Sequence, residues 1–176
     1  MRRPILFIDR DGTIIAEPDD FQVDSIDKVN FLPDAILYLR KIKEEMNFLF
    51  VMVTNQDGLD TPAFPSNHFW PVHELIMRVL RNEAIEFDSV HIDTHFPEDN
   101  HPNRKPGIGM LKSYLTGEHD LENSYVIGDR TTDVQLARNL GCKAIHIFPA
   151  SISDAELTTE SWKEIYEYLK EARSRK

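Results

Sequence analysis

The chain has 176 residues, 30 acidic against 20 basic side chains for a formal charge of −10, and a single cysteine, Cys142. That length suits one domain with a substantial core, the acidic balance argues against a nucleic-acid partner, which needs clustered Lys and Arg, and a lone cysteine excludes an internal disulfide or a thiolate metal cluster. No stretch approaches the roughly 20 apolar residues of a membrane span, and the apolar run after Met1-Arg2-Arg3 is cut short by Asp9 before it reaches signal length, so a cytoplasmic protein without membrane partners is expected.

In chain order, Pro4 to Ile8 reads as a first strand. Asp9 and Asp11 follow it directly. Residues two apart on an extended segment point the same way, so these carboxylates face one small space, where they repel unless a cation or a shared proton joins them. One economical arrangement makes Asp9 a nucleophile toward phosphorus, gives Asp11 the proton transfers and lets Mg²⁺ hold the pair; the plain alternative is a strand ending in an Asp-Gly turn. Residues 14–31 are too long for a simple turn and too polar for a core element, and predict a small hairpin or flap over the strand ends. Leu32, Ile36, Leu39, Ile42 and Met46 recur at helical spacing, with Pro33 placed for the first turn. Phe48 to Val53 is an unbroken apolar run, as expected of a strand covered on both faces, and it ends in Thr54, Asn55 and Gln56. Val72 to Leu80 predicts an amphipathic helix and Phe87 to Ile92 a third strand. Residues 93–106 form a long loop rich in His, Pro, Asn and Asp, and loops of that length are commonly functional or disordered. Leu111 and Leu115 mark another helix. Tyr125 to Ile127 is a fourth strand ending in Gly128 and Asp129, and Val134 to Leu140 is a short helix that Gly141 terminates. Ala144 to Phe148 is a fifth strand, and Trp162, Ile165, Leu169 and Ala172 give a closing helix with Ser161 and Glu164 spaced as a capping box.

The alternation predicts an α/β fold: a Rossmann-like three-layer αβα sandwich around a parallel sheet of about five strands, forming one domain over 1–176. In such sheets ligands bind beyond the carboxyl ends of the strands, where Asp9, Asp11, Thr54, Asn55, Asp129 and Asp133 fall, with Arg104 and Lys105 nearby. Each has a plainer reading. Thr54 and Asn55 suit a turn, Lys105 a solvated loop cation, and Asp133 a charge meeting a helix dipole, which is compatible with metal support. Arg10 and Arg130 either bind substrate or balance local charge.

The motifs DRDGT at 9–13, TNQ at 54–56, RKP at 104–106 and GDRTTD at 128–133 resemble those of the haloacid dehalogenase superfamily of phosphohydrolases. More narrowly, residues 17–33 and 54–59 resemble the histidinol-phosphate phosphatase family, whose domain opens a bifunctional histidine-biosynthesis enzyme with a dehydratase following it. The resemblance implies an Mg²⁺-dependent phosphomonoesterase acting on L-histidinol phosphate through an aspartyl-phosphate, with a dehydratase partner fused or separate. It implies Asp9 as nucleophile, Asp11 as general acid and base, and Thr54, Asn55 and Lys105 on the phosphoryl oxygens. Mg²⁺ would be held by Asp9, the Asp11 carbonyl and Asp129, with Asp133 behind them. Glu17 is the leading acidic candidate for the substrate's cationic amine, ahead of Asp19, Asp20 and Asp24, and Arg104 is a further substrate contact.

Relatives in this branch carry a structural zinc in the long loop on a Cys-x-His…Cys-x-Cys pattern. Here those positions read Asp93, His95, His101 and Asn103, without a thiolate. Thiolates supply most of the affinity of structural zinc sites, so Zn²⁺ is expected to be absent or weakly held; His91 is an alternative ligand by strand spacing. The competing functions are a sugar-bisphosphate phosphatase, such as one acting on D-glycero-D-manno-heptose 1,7-bisphosphate, a non-catalytic phosphoacceptor domain and an inactive relative.

Overall fold

A computed structural model describes residues 2–148 and 154–174. Six parallel strands form one sheet in the order β3-β2-β1-β4-β5-β6: β1 (Ile5–Ile8), β2 (Leu49–Asn55), β3 (Ser89–Asp93), β4 (Tyr125–Gly128), β5 (Lys143–His146) and β6 (Leu157–Thr158). The sequence pattern predicts about five strands. The sixth has two residues and pairs Ile145 with Leu157 and His146 with Thr158, too short for any periodicity to register. β5 stops at His146 rather than Phe148, which is exposed; β3 begins two residues later than expected and runs one further.

Alternate residues of each strand feed opposite faces, as the pleat requires. Leu6, Ile8, Phe50, Met52 and Ile127 pack with α1 (Ala35–Glu45), α2 (Ser66–Asn82) and α4 (Trp162–Ser174). Ile5, Phe7, Val51, Val53 and Val126 pack on the other face with α3 (Thr131–Leu140) and Leu111. All four residues of β1 are fully buried, so truncating Phe7 to Ala would cost about 3–5 kcal/mol through lost transfer energy and the cavity left behind.

Several local expectations are corrected. Pro33 lies before α1 rather than in its first turn, because Asp34 adopts a left-handed φ of 61° and starts the helix at Ala35. The segment around Leu111 and Leu115 is a 3₁₀ run over Gly109–Leu115, not an α-helix. α2 reaches well upstream of Val72 and contains Pro71, whose missing N–H forfeits one helical bond. Only half of the capping box at α4 forms: Ser161 Oγ accepts from the Glu164 N–H at 3.4 Å, whereas the Glu164 carboxylate accepts from Thr159 Oγ1 at 2.6 Å. Gly141 caps α3 with φ 71°, as its sequence position indicates.

β1 lies between β2 and β4, with Ile8 level with Met52 and Ile127. The strands are parallel, so Asp9 and Asp129, which follow β1 and β4, and Thr54, next to last in β2, emerge at one rim. The strand order reverses direction between β1 and β4, opening a crevice there.

Candidate active site

A cleft of ≈ 670 Å³ opens at this rim and is lined by residues that include Asp9, Asp11, Thr54, Asn55, Lys105 and Asp129. The Asp9 backbone N–H donates to the Ile127 carbonyl at 2.9 Å, continuing the ladder one residue past β1. Its carboxylate is nearly buried. Oδ1 accepts from the Arg10 N–H and from Lys105 Nζ, each at 2.8 Å; among the described residues no donor is bonded to Oδ2.

Lys105 Nζ also donates to Asp133 Oδ1 at 2.8 Å. Burial opposes its charge, but Asp133 and Asp9 outweigh that and hold its pKa above the ordinary lysine value. It is a fixed cation, not the solvated loop residue of the plainer reading. Asp133 Oδ2 accepts from the Arg130 N–H at 3.1 Å at the start of α3. Both Asp133 oxygens are therefore engaged, one on the helix terminus and one on Lys105, and it supports the site from behind.

Asp9, Asp129 and Asp133 bring carboxylate oxygens within 4.8 Å of one another. Burial, with repulsion from Asp133 and Asp129, pushes the Asp9 pKa well above the ordinary range, against the opposing pull of Lys105. Asp129 is pushed up to about 7 by burial, Asp133 and Glu17, and its Oδ1 is buried with no hydrogen-bond partner. A Cβ at Gly12, where φ is 72°, would collide with the Asp129 carboxylate, so only glycine admits it. An orphaned buried carboxylate oxygen beside a second carboxylate is the donor set a hard divalent cation takes, and the residues present fit Mg²⁺.

Asn55 does more than the sequence suggests. Its side chain accepts from the Lys105 N–H at 3.1 Å and donates to the Lys105 carbonyl at 3.4 Å, tying the end of β2 to the long loop. The Gln56 N–H bonds the Asp93 carbonyl at 2.7 Å and the Gly58 N–H the Thr94 carbonyl at 3.0 Å. These bonds order the loop near Lys105 without a thiolate clamp. Asp93, His95 and His101 do gather: His95 Nδ1 lies 2.9 Å and His101 Nδ1 3.7 Å from Asp93 Oδ1, with the two rings stacked at 3.5 Å. Asn103 is adjacent, its N–H donating to His101 Nδ1 at 3.4 Å and its Oδ1 lying against Gly109. His91 is not in the cluster and faces Ser89 and Tyr114.

The flap at 14–31 is a short hairpin-like excursion: Ile15 bridges Phe31, and the Ala16 N–H bonds the Asn30 carbonyl at 2.7 Å. Glu17 reaches the cleft, with its pKa raised by burial and partly restored by Arg130, whose Nη2 donates to Oε1 at 2.6 Å. Asp20 also lines the cleft, and both it and Asp24 are paired with Lys28. Arg104 lines the cleft and donates to Asp57 Oδ2 at 2.9 Å.

Sequence reasoning left Arg10 open between substrate binding and charge balance, and missed Gln56, His73 and His146 as parts of the site. His146, at the end of β5, sits 2.9 Å from the Asp129 carbonyl through Nε2. Gln56 stood inside the TNQ motif, and Arg10 between the two aspartates. The two histidines carry no sequence signal: His73 lies in the amphipathic α2, which also bears His68, and His146 is an isolated imidazole at the end of β5.

The parallel sheet, the aspartate pair after its central strand and the buried lysine define a haloacid dehalogenase-like hydrolase, and the chain belongs to that class: its family model, described as HAD-hydrolase-like, matches residues 102–172. Within the class the sequence is similar to the histidine biosynthesis bifunctional protein HisB of Spirosoma linguale, 51% identical over 184 residues and covering 94% of this chain and 48% of that protein. HisB of Bacteroides fragilis is 46% identical over 179 residues, covering 96% and 48%. The chain thus spans about half the length of the curated relatives it matches. Among solved structures, D,D-heptose 1,7-bisphosphate phosphatase from B. bronchiseptica, complexed with magnesium and phosphate, superposes with a TM-score of 0.82 over 97% of this chain and 99% of that one, at 24% identity. That likeness concerns the fold.

Proposed function

We propose that this domain is an Mg²⁺-dependent phosphomonoesterase that hydrolyses L-histidinol phosphate to L-histidinol and phosphate through an aspartyl-phosphate on Asp9. The observation that carries it is the Asp9 carboxylate held by Lys105 at 2.8 Å, beside the orphaned oxygen of Asp129, at the mouth of a cleft. Asp9 attacks phosphorus through Oδ2 without needing deprotonation. Lys105, the Thr54 hydroxyl and the Asn55 N–H stabilise charge on the phosphoryl oxygens. Asp11 gives its proton to the departing alkoxide, then takes one from the water that cleaves the acyl phosphate. Mg²⁺ bound by Asp9, Asp129 and the Asp11 carbonyl would offset the repulsion between the carboxylates and phosphate.

The substrate's imidazole and amine suit an acidic cleft bearing Glu17. Among the described residues lining the cleft, Arg104 and Arg130 are each paired with a carboxylate, so neither is a ready cation for a second phosphate. That favours histidinol phosphate over a sugar bisphosphate. We extend the proposal to a cytoplasmic setting and to a dehydratase partner, fused or separate; among the described residues no helix is long and apolar enough to cross a membrane. A panel comparing L-histidinol phosphate with D-glycero-D-manno-heptose 1,7-bisphosphate under Mg²⁺ tests the substrate. Preference for the sugar sinks it. Asp9→Asn should lower turnover by about 10⁴-fold or more, and residual activity near wild type would remove Asp9 as nucleophile.

A further inference from the structure

Arg10 is fully buried, an unusual place for a guanidinium. Its Nε donates to Asp11 Oδ1 and its Nη2 to Asp11 Oδ2, both at 2.9 Å; Nη2 also reaches Gln56 Oε1 at 3.1 Å, and Nη1 faces His73 Nδ1 at 3.3 Å. The guanidinium lies over the Phe69 ring at 4.9 Å, and that ring stacks on His73. Arginine has only donors, so every partner must accept. His73 Nδ1 therefore carries no proton, in keeping with burial and Arg10 pushing its pKa down to about 4. Gln56 must turn its oxygen toward Arg10 and its NH₂ the other way. The two hydrogens of that NH₂ have two acceptors, Asp11 Oδ2 at 2.6 Å and Thr54 Oγ1 at 2.8 Å. A threonine hydroxyl that accepts from Gln56 has its own proton free for the cleft.

From this one-way chain of donors we infer that Gln56, oriented by Arg10 and His73, is a positioning residue that aims the Thr54 hydroxyl outward as a donor to the phosphoryl group while fixing the Asp11 carboxylate beside it. The inference rests on the reading that phosphorus is attacked by Asp9 in this cleft. It adds a direction to hydrogen bonds that distance alone leaves open, and that direction can be reversed: in Gln56→Glu the side chain can only accept from Thr54, which draws the hydroxyl proton away from the cleft.

The test is a double-mutant cycle on Gln56→Glu and Thr54→Val with p-nitrophenyl phosphate and Mg²⁺, alongside calorimetric affinity for inorganic phosphate; circular dichroism checks folding. Losing one preorganised donor lowers kcat/KM by about 10²–10³-fold, and each single variant should fall in that range. The double variant should fall well short of the product of the two single losses, because the part of the Gln56 effect that runs through the hydroxyl is already gone and only its bond to Asp11 is left to lose. Phosphate affinity should show the same non-additivity. Should Gln56→Glu fail to fold, Gln56→Met replaces it, and the cost of Thr54→Val should again shrink in that background. Fully multiplicative losses overturn the inference, since a merely structural glutamine would weaken both backgrounds equally. Wild type that turns over p-nitrophenyl phosphate with a coupled cycle but ignores L-histidinol phosphate removes the substrate assignment and leaves Gln56 in its role. Wild type that cleaves neither ester overturns both.

Discussion

His73 offers a test of the buried network through stability alone. Its ring is almost fully enclosed on α2, against Phe69, Trp70 and the Arg10 guanidinium. Burial, then Arg10, lower its pKa from 6.5 to about 4, with Asp11 opposing. Between those values the unfolded chain binds a proton that the native state refuses, so stability is fully present above pH 6.5 and drains away as the pH falls toward 4. At about 1.36 kcal/mol per pH unit, the whole contribution is about 3 kcal/mol, and about 2 kcal/mol of it should be gone at pH 5. Asp9 and Asp129, whose pKa values are raised, act in the opposite sense, and comparison with a variant removes them. His73→Gln keeps an acceptor for Arg10 and cannot titrate. Urea unfolding of both proteins at pH 7.5 and 5.0, with Mg²⁺ present, should show wild type losing about 2 kcal/mol more than the variant. Parallel losses would mean that His73 is protonated in the fold, and the donor direction assigned to Arg10 would be wrong.

Lys105→Met should both slow and destabilise the protein. It strands the Asp9 and Asp133 carboxylates without their shared cation, at a cost of about 3–5 kcal/mol, and lowers kcat by about 10²–10³-fold; chemical denaturation with Mg²⁺ kinetics would expose an unchanged value of either. Treatment with a zinc chelator, followed by restored Mg²⁺, should leave the melting temperature and turnover within error of untreated protein, because hydrogen bonds from Asn55, Gln56 and Gly58 anchor the loop. A drop of several degrees would show that Asp93, His95 and His101 hold a structural ion. Cys142, whose thiol burial pushes up to about 12, should react with a thiol reagent at pH 8 far more slowly than the unfolded chain does; equal rates would contradict that environment.

Legible in the chain alone are the strands whose apolar runs are buried on both faces, their parallel direction through the intervening helices, and the rim where Asp9, Asp11, Thr54, Lys105 and Asp129 meet. Those follow from periodicity and from motif position, which are local properties of the chain. The sequence also placed the flap and the long loop, though not what holds them. Tertiary structure alone decided which polar group meets which. Asn55 grips Lys105 across 50 positions and Arg10 finds His73 across 63, and no spacing rule reaches that far. Asp133 could have capped a helix or served Lys105, and the fold makes it do both. The physical reason is that hydrophobic burial is set by how often a side chain recurs, whereas a hydrogen bond is set by a distance and a direction that exist only once the sheet has closed around it.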